Sequence, residues 1–366
     1  MTRLLSIRLT EAARSIPVRI GRGALESLPH FVREHFDRHR ICVVVDSAVF
    51  ALHGPALQAL FSPLPHFDKF LLVPRGEASK SRRQLAGLQD EVLLDGFGRD
   101  TLVVAVGGGV VGDLAGFLAA TLFRGLPFIQ APTTLLAQVD ASIGGKVGIN
   151  HPRGKNLLGA FHQPVAIFSD VDLLQTLPQI ELVNGLAEVV KIAAVADPAL
   201  LNDLELHSEA LVRRDPDILT AVIARAAELK AQIVADDERE SGRRAILNFG
   251  HTAGHAIEQL SAYRIKHGFA VAAGMCIALS LSQQKQALES SCRERLHHLL
   301  DRLGLTGEYV REFDSAAVWQ AIAFDKKKRS GQPRFVLLND IGSPVVTADV
   351  HYDDFAAAWK EQRSHV

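Results

Sequence analysis

Three histidines and one glutamate carry the strongest chemical signal in this chain. The stretch LNFGHTAGHAIEQ sets His251 and His255 four residues apart, and His267 follows at the head of HGFAVAAGM. Residues four apart share a helix face, so the first pair has the spacing of a helical zinc site. Catalytic sites of that kind use three protein ligands from histidine and carboxylate and leave one position open. Neither H-E-x-x-H nor another zincin pattern is present. A carboxylate in helical context lies upstream in GLAEVVK, where Glu188 is surrounded by apolar residues and Lys191 follows one turn on. Taken by itself, that pair reads as a structural ion pair. Spacing alone does not decide whether His255 or His267 joins His251 on an ion.

Two further constellations point to anions. VVAVGGGVVGDLAGFLAATL reads as strand, glycine turn and helix, and Gly107, Gly109 and Gly112 fit G-x-G-x-x-G. Missing side chains there let backbone N–H groups and a helix N-terminus approach a phosphate, although packing alone can also demand small residues in such a turn. The acidic residue that a dinucleotide fingerprint places about 20 positions later has no counterpart in IQAPTT; the acids precede the glycines, as Asp46 and Glu77. The second stretch, QAPTTLLAQVDASIGGKVGINHPRGKNLLGAF, gathers Thr133, Thr134, Asp140, Lys146, Lys155 and Asn156. It reads as a glycine-rich loop whose two lysines, beside exposed N–H groups, suit a phosphate.

These residues need elements to position them. Short β-branched runs, ICVVV (41–45), TLVVAV (101–106), PFIQA (127–131) and VAIF (165–168), alternate with helical patterns, the signature of a mostly parallel sheet covered on both faces. After about residue 176 long helical periodicities take over, as in ELVNGLAEVVKIAAV and ILTAVIARAAELKAQIV. FVLLND and PVVTADV, joined by IGS, predict a late hairpin. The fold class is α/β plus α: a Rossmann-like domain over 1–175, then a mainly helical domain over 176–366, with the active site in the cleft between them.

Composition narrows the function further. Forty Lys and Arg against 41 Asp and Glu leave no global field for gripping nucleic acid or a membrane surface, so an anion site must gather its cations locally. Cys42, Cys276 and Cys292 form no C-x-x-C and are odd in number, which argues for a reducing compartment without disulfides. The first residues lack the apolar core of a signal peptide, and AVAAGMCIALSLS falls short of the roughly 20 residues a membrane span needs. The expectation is a soluble, cytoplasmic protein.

In chain order, GGGVVGDLAGFLAATLFRG, PTTLLAQVDASIGGKVGIN, GKNLLGAF, TLPQIELVNGLAEVVK, ELKAQIVADDERESGRRAILNFGHTAGHAIE, HGFAVAAGM and DKKKRSGQPRFVLL resemble the sugar-phosphate cyclases, the 3-dehydroquinate synthases above all. The resemblance implies a lyase of the shikimate pathway. It would turn 3-deoxy-D-arabino-heptulosonate 7-phosphate into 3-dehydroquinate and phosphate by transient oxidation, phosphate elimination, re-reduction and aldol closure. It implies zinc, with cobalt as the alternative ion, on Glu188, His251 and His267. His255 would then face the substrate as a proton-transfer or phosphate-side group. NAD would lie against Asp46, Glu77, Lys80, Gly108, Gly109, Val110, Asp113, Thr133, Thr134, Thr176, Leu177 and Glu181, with Asp140, Lys146 and Lys155 shared between cofactor and substrate. Asn156, Lys191, Lys230, Arg244, Asn248 and one lysine of 326–328, taken as Lys327, would complete the substrate pocket. Arg124 would reach the neighbouring subunit's site in a homodimer.

The sequence departs from the family pattern at three places. Ile180 stands where arginine is usual, Ile192-Ala193 where Tyr-Gly is usual, and Phe269 where a glutamate two residues past His267 is usual. Loss of a carboxylate that supports a ligand can change metal affinity or activity by about 10 to 100-fold. Rival readings are a cyclase acting on another sugar phosphate, a metal-dependent polyol dehydrogenase with the same two-domain plan, and a non-catalytic descendant that binds NAD or a partner without turnover.

Overall fold

Apolar runs without polar alternation suit strands covered on both faces, and the main sheet is parallel throughout. The computed structural model describes residues 15–240, 242–307, 312–327 and 332–365, without the side chains of 325–327 and 363–365. It begins with β1 (Val18–Gly21), α1 (Leu28–His35), β2 (Arg40–Asp46), α2 (Ser47–Phe61), β3 (Phe67–Val73), α3 (Arg82–Leu94), β4 (Thr101–Gly107), α4 (Gly109–Thr121) and β5 (Phe128–Pro132). An antiparallel hairpin of β6 (Lys146–His151) and β7 (Gly154–Phe161) precedes β8 (Ala166–Asp170). The six-stranded sheet runs β1-β8-β5-β4-β2-β3.

Alternation along the central strands feeds two cores, because successive side chains point to opposite faces. Val43, Val104 and Ile129, in register across β2, β4 and β5, pack under α1 and α2. Cys42, Val44, Val103 and Ala105 turn the other way, onto α3 and α4. The four expected strands are present, with β1 and β3 added at the edges. The stretch expected as a glycine-rich loop is corrected: Lys146 opens β6 and Lys155 lies in β7, so the two lysines ride on a hairpin.

From residue 179 the chain is mainly helical: α5 (Gln179–Ala196), α6 (Pro198–Val212), α7 (Pro216–Asp236), α8 (His251–Leu260), α9 (His267–Gln286), α10 (Ser290–Arg302) and α11 (Ser315–Lys327). The predicted late hairpin is β9 (Phe335–Asp340) against β10 (Ser343–Thr347), and α12 (Tyr352–His365) closes the fold. All residues of α9 from Gly268 to Ser282 are buried, which makes it the central helix of this half. It meets α8 backbone against backbone: a Cβ on Gly274 would stand 1.9 Å from the Gly250 carbonyl oxygen. No other residue fits there, and the start of α8 is thereby held against α9 about two turns past His267, while Glu258 near the end of α8 meets His267 itself. No helix among the described residues is long and apolar enough to cross a membrane.

Candidate active site

His251 is the first residue of α8, His267 the first of α9, and Glu188 sits inside α5. Glu188 Oε1 is buried and carries no hydrogen bond, yet His267 Nε2 lies 3.3 Å and His251 Nε2 3.6 Å away. Zinc bonds of about 2.0–2.2 Å at a tetrahedral angle would put neighbouring ligand atoms roughly 3.4 Å apart, and the two separations bracket that value. An orphaned carboxylate oxygen facing two imidazole nitrogens fits a divalent cation. The structure brings Glu188, His251 and His267 together as one possible ligand group. His255 belongs to a second, more exposed group with Glu258 and His267. Its ring centroid is 5.1 Å from that of His251.

Electrostatics separates the two half-buried rings. Burial pushes His251 down to about 3, only partly opposed by Glu188. Burial acts in the same sense on His267, but the flanking carboxylates Glu188 and Glu258 outweigh it and raise the ring to about 10. Burial would also raise Glu188; the Lys191 ammonium, to which it is ion-paired, and the two histidines instead hold its carboxyl well below the usual range.

Beside this group lies a cluster of alternating charges. Asp140 sits in a short π-helical turn, Ala137–Ala141, and accepts from buried Lys230 at 2.5 Å. Such turns recur at functional sites. Burial works to raise the Asp140 carboxyl, but Lys230 and Lys191 hold it below its ordinary value, while burial pulls Lys230 down. Arg244 is 4% exposed and donates to the Glu238 carbonyl at 2.7 Å. Lys146 pairs with Glu240, whose other oxygen accepts from Asn248 at 3.1 Å. Lys155 bonds Glu258 at 3.0 Å and stands 4.3 Å over the Tyr263 ring.

The residues read for a nucleotide line the C-terminal ends of the strands. No side chain caps α4 at Gly108, so the first amides of that helix, at Gly109 and half-buried Val110, keep the character of an anion site. Lys80 bridges Asp113 and Asn156 at 2.5 Å each. Asn150 ties Glu77 to the hairpin at 2.7 Å. Thr133 Oγ1 is buried without a hydrogen-bond partner, and Thr134 accepts from the Ala137 amide. Asp46 caps α2 through the amides of Ala48 and Val49. Thr176 meets His53 at 2.8 Å, Leu177 is buried, and Glu181 pairs with Lys266, the residue before His267, at 2.7 Å.

Arg124 is exposed and left-handed (φ 69°) in the turn after α4, with no bond to this cluster among the described residues. The side chain of Lys327 lies outside the described residues. Two acids that sequence reading passed over belong to the site: Glu240 and Glu258. The signal for Glu258 was its place seven residues after His251, two turns along the same face. Phe269 is buried in the helical core and Ile192-Ala193 in α5, whereas Ile180 is half exposed.

Comparison with known proteins shows what the chain is similar to. A family model described as 3-dehydroquinate synthase N-terminal matches residues 70–184, and one described as 3-dehydroquinate synthase C-terminal matches 185–328. A curated 3-dehydroquinate synthase of Nitrosospira multiformis is 43% identical over 342 residues, 93% of either chain. The solved 2-epi-5-epi-valiolone synthase of Streptomyces hygroscopicus subsp. jinggangensis, with NAD+ and Zn2+ bound, superposes with a TM-score of 0.89 at 28% identity, covering 99% of this chain and 100% of that one. A 2-deoxy-scyllo-inosose synthase complexed with carbaglucose-6-phosphate, NAD+ and Co2+ gives 0.84 at 26% identity, covering 94% and 96%.

Proposed function

The chain belongs to the 3-dehydroquinate synthase family, and from that premise we propose that it converts 3-deoxy-D-arabino-heptulosonate 7-phosphate into 3-dehydroquinate and phosphate. The observation that carries the reading is the unbonded Glu188 Oε1 facing two imidazole nitrogens beside a lysine and arginine cluster. Glu188, His251 and His267 would hold zinc or cobalt, and the amides at the start of α4 with Lys80, Asp113 and Thr133 would hold NAD. When bound, the ion polarises the hydroxyl being oxidised and the nicotinamide takes and returns the hydride.

The protein's own part is binding, orientation and proton handling. The substrate carries a carboxylate and a phosphate of about −1.5 to −2 charge, which a chain of net charge −1 can answer only locally. Lys146, Lys155, Lys230 and Arg244 do so, with Arg124 arriving from a second subunit. Half-buried Asp140 keeps Lys230 compensated, so the cluster persists without substrate. Exposed His255, its ring centroid 5.1 Å from that of His251, moves the proton as phosphate leaves. Each step needs the same intermediate held in place, and that orientation is where these contacts act.

The test is phosphate release from the heptulosonate phosphate with and without added NAD and with a chelator. Release that needs both groups, with no net NADH, supports the proposal. NADH climbing steadily with a simple polyol and no phosphate release would replace it with the polyol dehydrogenase reading.

A further inference from the structure

We propose that Glu258 is a positioning residue: one buried carboxylate orients the His267 ring for metal binding and clamps Lys155 of the anion pocket. This rests on Glu188, His251 and His267 being the ligands. The Glu258 side chain is 4% exposed and has its two oxygens committed to different halves of the protein. Oε2 lies 3.1 Å from His267 Nδ1, at the start of α9, and Oε1 lies 3.0 Å from Lys155 Nζ, on β7.

The chemistry follows from what each atom can do. A carboxylate only accepts, so the bond requires a hydrogen on Nδ1; in the neutral ring Nε2 then carries the lone pair. That nitrogen is the one 3.3 Å from Glu188 Oε1. A carboxylate on the remote nitrogen of a ligating histidine fixes its tautomer and orientation and raises its basicity. The Glu258 backbone belongs to α8, which also carries His251 and His255, so one helix supplies a ligand, the proposed proton-transfer group and the support for a second ligand. Lys155 is held by the same carboxylate and by the Tyr263 ring. A loosened Glu258 therefore releases the metal ligand and the anion-binding lysine together.

The experiment measures zinc affinity by chelator competition, and the visible spectrum of the cobalt-loaded protein, for wild type, Glu258→Ala, Glu258→Gln and Lys155→Ala. Glu258→Ala is expected to bind zinc about 10 to 100-fold more weakly with an altered cobalt spectrum. Glu258→Gln keeps a neutral acceptor, roughly half as strong as a charged one, and falls between wild type and alanine. It is nearly isosteric and decides the matter if the alanine variant fails to fold. Lys155→Ala leaves zinc affinity within about twofold of wild type, since Lys155 touches no ligand. A purely structural ion pair would make the Lys155 and Glu258 variants lose zinc alike, and that result, or wild-type affinity and spectrum in both Glu258 variants, overturns the proposal. If wild type itself binds no zinc, the ligand assignment fails first; if wild type binds it and the Glu258 variants match, only this inference fails.

Discussion

The guanidinium of Arg244 lies against the bare Cα of Gly144: a Cβ there would stand 2.4 Å from Nη2. Gly144 also has φ +106°, outside the comfortable range of other residues. Gly144→Ala is therefore expected to lose about 1–3 kcal/mol of stability from backbone strain and to push Arg244 out of the anion cluster. Steady-state kinetics check the second part. KM for the heptulosonate phosphate should rise for Gly144→Ala and Arg244→Ala alike, and a wild-type KM in Gly144→Ala would show that Arg244 does not act from this position.

His251 and His255 share a helix but should fail differently. His251→Ala is expected to lose bound zinc, measured per chain by metal analysis. His255→Ala should keep zinc and lose about 10²–10⁴-fold in turnover, the usual worth of a positioned acid or base. Equal zinc loss in both variants would reject the division of roles.

Lys191 and Glu188 are both almost fully buried, at 2% and 0% side-chain exposure. Removing one partner of such a pair strands a charge and costs about 3–5 kcal/mol. Urea unfolding of zinc-free Lys191→Ala should show a loss of that order, and added zinc should shrink it, because the ion would compensate Glu188. A loss that zinc leaves unchanged would mean that Glu188 is no ligand.

Asp197 supplies a pH test away from the site. Burial opposes its ionisation, but the bond from Arg225 at 2.6 Å and the amides of Ala199 and Leu200 hold its carboxyl below the ordinary value. The folded pKa lies below the unfolded one, near 3.9, so the stabilisation is present above that pH and is lost as pH falls through the folded value. Arg225 is 44% exposed, so water screens the ion-pair part. Thermal melts of Asp197→Asn, which keeps a capping oxygen, should approach wild type as the pH drops below that window. A constant gap would place the effect elsewhere.

How much was legible follows from particular residues. Strands β2, β4, β5 and β8 announced themselves as β-branched runs. The β6–β7 hairpin did not, because Gly148 and Gly159 lie where its strands come closest: a Cβ on Gly159 would meet the Val147 carbonyl oxygen at 2.2 Å. Glycine in a strand interior carries no β signal. For the site, residue spacing raised His251, His255 and His267 as candidates but could not rank them, since ranking depends on how α5, α8 and α9 cross. Only the family resemblance named the set. Glu258 and Glu240 went unnoticed because a lone acid on an amphipathic helix or in the charged run DDERE looks like ordinary surface.

The contact of Gly274 with the Gly250 carbonyl reaches beyond packing. Gly250 adjoins His251 at the head of α8, whereas Gly274 lies seven residues past His267, so the contact sets how closely the two helices lie side by side. A side chain at either glycine would wedge the two helices apart and carry His251 away from its neighbours on α9.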